Sequence, residues 1–424
     1  MRSMLCKAAL IVAAGLATVT AIPDIVVKGS KFFAGDEQFY IKGFAFQGTG
    51  NDPLVNITQC TFDMGLMKLF GTNSVRVYHV DPTKDHTACM TILANAGIYL
   101  WVDLDTFDTA LHSIDPAWTL DQFQKYAKVM DAFQTFPNTA GFFVGNEVIN
   151  SNNNSNAAPY IKAASADMRA YRDKMGYRKI PIGYSAADIA ELRPQLQNYL
   201  ACGDTKTTIE FFGLNSYEWC GNSTYDSSGY HNLQNLAENY TIPIFFSETG
   251  CIVPRPRTFG DQLVIFGPEM SGTWSGAIIY EWVNEGNDYG VVDYKNTEYG
   301  GPPIPMDPEF TTLRNIWKSA TPNEVKKSDY NPNKPTLACP PSVEGAWKVN
   351  GDEPLPTLGA ATLNSIVRMK KRQASMHAVP PSHVYWSGKN GPKKPNSGSS
   401  RIEVGVQSVV LGLFMMAVVT FFSM

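Results

Sequence analysis

Histidine is scarce in this chain, with six among 424 residues, and no two have the spacing of a helix-borne metal site such as His-Glu-x-x-His. Neither a metal nor a cofactor is therefore expected. Positive charge is not in excess either. The 35 Lys and Arg stand against 39 Asp and Glu, a net charge of −4, which argues against a nucleic-acid partner. No internal repeat is found, and stacked repeat architectures go with it. What the chain has in quantity is apolar and aromatic material, 44% and 12% of residues, enough for a large packed core.

Both ends carry targeting patterns. A basic start, Met1 to Lys7, leads into an apolar stretch from Ala8 to Val19 that closes on Val19-Thr-Ala21. This order reads as a secretory signal peptide, residues 1–21, cleaved after Ala21. Of the seven cysteines, Cys6 leaves with it, and Cys60, Cys89, Cys202, Cys220, Cys251 and Cys339 remain. An even number in an oxidising compartment reads as disulfides and leaves the pairings open. Sequons at Asn56, Asn153, Asn222 and Asn239 fit the same route. At the far end, Val409 to Phe422 is apolar, shorter than the roughly 20 residues that span a bilayer, and no Lys or Arg follows it. Small residues Asn396-Ser-Gly-Ser-Ser400 and a polar spacer precede it. That order is the signal for a glycosylphosphatidylinositol anchor, with Asn396 as the attachment site and 397–424 as the removed propeptide. A transmembrane tail counted from Val404 is the alternative.

Between these ends, strand-like and helix-like segments alternate. Strands are expected at Phe39–Phe46, Ser74–Val80, Gly97–Asp103, Gly141–Val144, Lys179–Gly183, Phe211–Leu214, Ile242–Phe246 and Gly276–Tyr280. Asp121–Phe133 and Ala157–Met175 carry apolar residues at helical spacing. Eight alternations predict an α/β fold, a (β/α)8 barrel over residues 22–347. After Cys339 the composition turns to Pro, Ser, Gly and Lys, with Arg368-Met-Lys-Lys-Arg372 and Pro392-Lys-Lys-Pro395. Residues 348–396 are expected to be a flexible, disordered stalk, the basic cluster being solvated linker or a processing site at Lys371-Arg372.

In such a barrel the active site is built from strand ends. Those ends offer Gln47, Tyr78, Asp103, Asp105, Asn146, Glu147, Asn215, Tyr217, Glu248, Tyr280 and Glu281. Aromatic faces stack on pyranose rings and polar groups bind hydroxyls, so this is a sugar-binding mouth. Glu147 and Glu248 close two apolar runs, Thr139–Glu147 and Thr241–Glu248. Paired carboxylates serve glycoside chemistry: one protonates the leaving oxygen and the other attacks or activates water.

Asn-Glu after the fourth strand and Glu after the seventh resemble the large clan of retaining (β/α)8 glycosidases. More narrowly, Ile41-Lys-Gly-Phe44, Ser74-Val-Arg-Val-Tyr78, Phe143-Val-Gly-Asn-Glu147, Gly213-Leu-Asn-Ser-Tyr-Glu-Trp-Cys220 and Phe246-Ser-Glu-Thr-Gly-Cys251 resemble fungal cell-wall β-1,3-glucanosyltransferases, glycoside hydrolase family 72. The resemblance implies Glu147 as general acid/base and Glu248 as nucleophile. It also implies glucan contacts from Asn146, Tyr78, Tyr280, Asp188, Arg193 and the loop opening at Asp105-Thr106. The pairings it implies are Cys60–Cys89, Cys202–Cys339 and Cys220–Cys251. The activity would be internal cleavage of β-1,3-glucan and transfer of the new reducing end to the non-reducing end of another chain. A β-1,3-glucanase and an inactive glucan-binding surface protein are the alternatives. Partners would be the glucan donor and acceptor and, through the anchor, the outer leaflet of the plasma membrane, with the protein a cell-surface monomer. Thr249 is a departure, since an aromatic is expected after the nucleophile. No cysteine follows Cys339, so the cysteine-rich carbohydrate-binding module of one subfamily is not expected.

Overall fold

The computed structural model describes residues 22–48, 50–106, 108–296, 300–334 and 337–377. The expected signal peptide, the part of the expected stalk from residue 378, the expected anchor site and the apolar tail lie outside the described residues. Eight parallel strands close into a barrel: β1 (Ile41–Ala45), β2 (Ser74–Val77), β3 (Tyr99–Asp103), β4 (Thr139–Asn146), β5 (Ile182–Ala187), β6 (Phe211–Asn215), β7 (Ile244–Thr249) and β8 (Trp274–Ile279). Each is buried along nearly its whole length, which is why the strands read as continuous apolar runs.

Alternation still operates inside those runs. Phe246 of β7 faces the helix layer and stacks on Trp274 with ring centroids 4.3 Å apart. Its neighbour Phe245 faces the barrel axis and meets Trp101 at 5.2 Å. Trp101, Phe143, Phe211 and Phe245 form the floor, sealed from below by Phe32 of the N-terminal hairpin Ile25–Lys28 and Lys31–Ala34. The floor is apolar, so the polar strand ends are left to the opposite rim.

Helices α1 (Ile57–Phe70), α2 (Thr87–Ala96), α3 (Leu120–Phe133), α4 (Ala158–Met175), α5 (Arg193–Ala201), α6 (Tyr230–Ala237), α7 (Gly260–Ile265) and α8 (Glu309–Ser319) follow the strands. Their starts and stops are written locally. Asn56 caps α1 by accepting from the Gln59 N–H, and Gly71 ends it at φ 96°. Thr119 and Gln122 form a capping box on α3. No helix among the described residues is long and apolar enough to cross a membrane.

Three disulfides are present among the described residues. Cys60–Cys89 ties α1 to α2, Cys202–Cys339 ties the end of α5 to the segment after the barrel, and Cys220–Cys251 joins the loops after β6 and β7.

Two expectations shift. The fifth strand lies at Ile182–Ala187 rather than Lys179–Gly183. Its second half, Tyr184-Ser-Ala-Ala187, lacks a β-branched run, yet small residues suit a strand covered on both faces. The folded body also runs beyond residue 347. Residues 348–377, placed in the stalk by composition, bury Val349 and form a ninth helix, α9 (Ala360–His377). Leu363, Ile366 and Val367 recur at helical spacing and join the core. Lys370 pairs with Asp131 at 2.7 Å, and the Leu358 N–H donates to Asp167. Three apolar residues among many polar ones are a weak compositional signal; their spacing is the stronger one. Residues through Ala374 form one compact unit.

Candidate active site

The rim opposite the floor collects the strand ends. Glu248 is the penultimate residue of β7, and its side chain is almost fully enclosed. Tyr78, just after β2, donates its hydroxyl to Glu248 Oε1 at 2.9 Å. Tyr217, after β6, donates to Oε2 at 2.9 Å. Arg76 of β2 adds Nη1 to Oε1 at 3.3 Å. Both oxygens are thereby fixed in direction. Burial pushes the Glu248 carboxyl above the ordinary range; Arg76 opposes this, Glu147 reinforces it, and the two tyrosine hydrogen bonds oppose it.

Arg76 organises the rest. Its guanidinium is fully buried and reaches Asp103 through Nε and Nη2 at 3.2 and 2.9 Å, Ser185 Oγ at 3.0 Å and Asn146 Oδ1 at 2.9 Å. Burial by itself would lower its basicity, but Asp103, Tyr78 and Glu248 together raise it, so it stays a cation. Five donors in a planar fork allow one residue to hold five partners, the Ser247 carbonyl at 3.3 Å being the fifth. Behind it, Ser185 and Ser247 both donate to Asn215 Oδ1, at 2.9 and 2.8 Å. That turns the Asn215 amide nitrogen toward the rim, where it donates to Asn146 Oδ1 at 3.1 Å and to Glu147 Oε1 at 2.8 Å. Gly213 makes this possible, because a Cβ there would stand 2.5 Å from Ser247 Oγ.

Glu147 lies one residue beyond β4 at φ 50°, in the left-handed region, with its N–H donating to the Ser185 carbonyl at 2.9 Å. A non-glycine residue held there costs about 1–3 kcal/mol and is characteristic of functional turns. The chain bends so that Asn146 and Glu147 both meet Asn215.

A cavity of about 370 Å³ opens at this rim, lined by Gln47, Tyr78, Asp103, Asp105, Thr106, Asn146, Glu248 and Tyr280, with His79 and Ala110. Asp105 Oδ1 is buried with no hydrogen-bond partner among the described residues. Burial and then Asp103 push its carboxyl up to about 8. Tyr289 packs edge-on against both Tyr217 and Tyr280, extending the aromatic wall. Among the described residues no group of three or more His, Cys, Asp or Glu is placed to hold a metal ion.

Asp188 and Arg193 are not among the residues lining this cavity. They pair with each other at the start of α5, and Arg193 also reaches Glu218 at 3.3 Å. Thr249 turns its side chain to the helix layer, donating to Asp261 at 3.1 Å and lying 3.4 Å from the Tyr230 hydroxyl, so its side chain does not face the cavity. Sequence reasoning passed over Arg76 and Ser185 as site residues. The available signal was a lone charge in the strand Ser74-Val-Arg-Val77, where only a paired cation can be buried.

A family model described as glucanosyltransferase matches residues 14–320. The chain belongs to the glucanosyltransferase family, glycoside hydrolase family 72. It is 40% identical over 344 residues to the 1,3-beta-glucanosyltransferase gas2 of Schizosaccharomyces pombe, covering 77% of this chain and 74% of that protein. To the 1,3-beta-glucanosyltransferase GAS2 of Saccharomyces cerevisiae it is 38% identical over 351 residues, 77% of this chain but only 62% of that protein. A solved structure of a Saccharomyces cerevisiae Gas2p mutant, in complex with laminaritetraose and laminaripentaose, superposes with a TM-score of 0.74 at 38% identity, covering 80% of this chain and 76% of that one.

Proposed function

We propose that this glucanosyltransferase-family protein is a retaining β-1,3-glucan transglycosylase in which Glu248 is the nucleophile and Glu147 the general acid/base. One observation carries the assignment: both oxygens of Glu248 are held by Arg76, Tyr78 and Tyr217, while Asn215 holds Glu147 beside it. The nucleophile must be presented in one direction to a single carbon, and the proton donor must sit close by. Retention calls for carboxyl groups about 5–5.5 Å apart.

In the first step Glu147 gives its proton to the glycosidic oxygen as Glu248 attacks the anomeric carbon. The leaving glucan departs as an alcohol, and a glucosyl ester forms on Glu248. Glu147, now a carboxylate, takes the proton from the 3-hydroxyl of a second glucan. That oxygen displaces Glu248, and both carboxyl groups return to their starting states. Arg76 balances the negative charge that returns to Glu248. The cavity's tyrosines, amides and carboxylates suit a pyranose chain. The relatives' names and the laminari-oligosaccharides bound to the yeast Gas2p mutant support a β-1,3-glucan as that chain.

Incubation with a reduced laminari-oligosaccharide tests this reading. Products longer than the starting chain support transfer, shorter products alone support a glucanase, and no products support a binding protein. The signal peptide, the sequons and the tail support a glycosylated cell-surface enzyme held by a glycolipid. Release of active enzyme from membranes by phosphatidylinositol-specific phospholipase C checks the anchor, and a mature protein that retains Phe421-Phe422 would contradict it.

A further inference from the structure

We propose that Glu281 is a positioning residue that decides which end of the Gln47 amide faces the glucan, and that protonation of Glu281 turns that amide over. The inference rests on reading the cavity as a β-1,3-glucan site, and it adds a group that is not among the residues lining that cavity.

Gln47 stands just after β1 and lines two adjoining cavities, the catalytic one and a second of about 210 Å³ that includes Glu285. An amide has a donor end and an acceptor end, and its fixed partners decide which end a ligand meets. The Gln47 nitrogen is engaged three times: with Glu281 Oε2 at 2.7 Å, the Tyr280 hydroxyl at 3.0 Å and Glu285 Oε2 at 3.3 Å. Its carbonyl oxygen is therefore the end available to a sugar hydroxyl. Glu281 makes the strongest of these contacts by distance and is 1% exposed, and its other oxygen accepts from Asn287 at 2.8 Å. Each of its two oxygens thus meets an amide donor.

The surroundings of Glu281 are acidic and aromatic. From β7 comes Glu248; from the loop after β8 come Glu285 and Tyr289, whose carbonyl accepts from the Glu281 N–H. Tyr280 precedes it. Arg257, which reaches the carbonyl of the preceding Tyr280, is committed to Glu309 and to the carbonyls of Tyr280 and Gly290. Arg255 is likewise paired with Glu309 and Asp288. Burial pushes the Glu281 carboxyl up to about 7; Asn287 and Gln47 pull it down, and Glu285 and Glu248 push it further up.

Below that point Glu281 is a neutral acid whose O–H needs an acceptor. Asn287 offers N–H in the arrangement seen here, so the Gln47 carbonyl is the acceptor within reach. Taking it up rotates the amide and aims N–H at the cavity. A sugar hydroxyl that donated to Gln47 then faces a donor, a mispairing that leaves buried polar groups unsatisfied.

Steady-state kinetics on laminari-oligosaccharides for the wild type, Glu281→Gln and Gln47→Met, through about pH 7, decide the matter. In the wild type KM is expected to rise roughly tenfold as pH falls through that region, the effect of one mispaired hydrogen bond. Glu281→Gln removes the titrating group at this position, so its KM is expected to lose the break near pH 7 and to keep only the dependence that Asp105 contributes nearer pH 8. Gln47→Met keeps Glu281 but removes the amide, and it too is expected to lose the break, so the conclusion holds even if the first variant folds poorly. A purely structural role for Glu281 would move stability without moving that break. Turnover by the wild type with a constant KM, or a break that persists in either variant, overturns this inference alone. A wild type that neither binds nor turns over these sugars overturns it together with the proposed function.

Discussion

Arg76 Nη1 and Glu248 Oε1 lie 3.3 Å apart, with the arginine side chain wholly buried and Asp103 on its other edge. One cation therefore serves two carboxylates. Removing it leaves two buried negative charges facing each other, while removing either carboxylate leaves one ion pair intact. Breaking a buried pair from one side costs about 3–5 kcal/mol. Arg76→Met is expected to lose stability in that range in denaturant titration and to lose activity as well. Arg76→Lys keeps the charge but not the planar fork, so it is expected to recover more stability than activity. A fully active Arg76→Met would show that the guanidinium is not needed at Glu248.

The Asp105 carboxyl predicts a pH-dependent stability. Its folded-state value is pushed up to about 8 from an ordinary 3.8. Below the ordinary value the carboxyl is protonated in both states and contributes nothing to the pH dependence. Between the two values the folded protein holds a proton that the unfolded chain has lost. Stability is therefore expected to fall as pH rises from about 4 toward about 8. In Asp105→Asn this fall should be shallower, with a Tm above the wild type at pH 8 and a difference that shrinks toward pH 4. Parallel Tm curves for the two proteins would contradict the assignment.

Ile366 of α9 tests the extended folded body. Its burial in the core predicts that Ile366→Ala costs about 2–4 kcal/mol, as for other large-to-small core changes. Limited proteolysis of the wild type should spare residues 348–374. Rapid cleavage near Leu363 would place the helix outside the stable body.

Cys220–Cys251 joins the loops after β6 and β7, next to Tyr217 and Glu248, its ends 31 positions apart in the chain. Replacing both cysteines by serine is expected to remove about 2–4 kcal/mol. Because the loop after β6 carries Tyr217, which holds one oxygen of the nucleophile, kcat should fall along with Tm. An unchanged kcat in the folded variant would show that the barrel alone positions them.

The barrel was legible because each strand is covered on both faces and so appears as an apolar run ending in polar residues. Glu147 and Glu248 stood out for the same reason. The inner polar layer was harder to see. Arg76, Ser185, Ser247 and Asn215 act on one another across β2, β5, β6 and β7, and nothing within one strand announces that contact. Strand five was misplaced because its small residues carry little propensity, and with it the adjacency of Asp188 to a strand end was lost. Thr249, where an aromatic is expected after the nucleophile, is turned to the helices by strand alternation. Helix α9 was obscured by basic and polar residues around three apolar ones.

The most direct test of the central claim is identification of the covalently modified residue. The wild-type enzyme would be incubated with a 2-deoxy-2-fluoro laminaribiosyl fluoride, digested, and the modified peptide sequenced by mass spectrometry. A glycosyl ester is expected on Glu248, with Glu248→Gln giving no adduct and Glu147→Gln turning over neither donor nor acceptor glucan. An adduct on any other residue, or products of inverted anomeric configuration with no adduct, would contradict it.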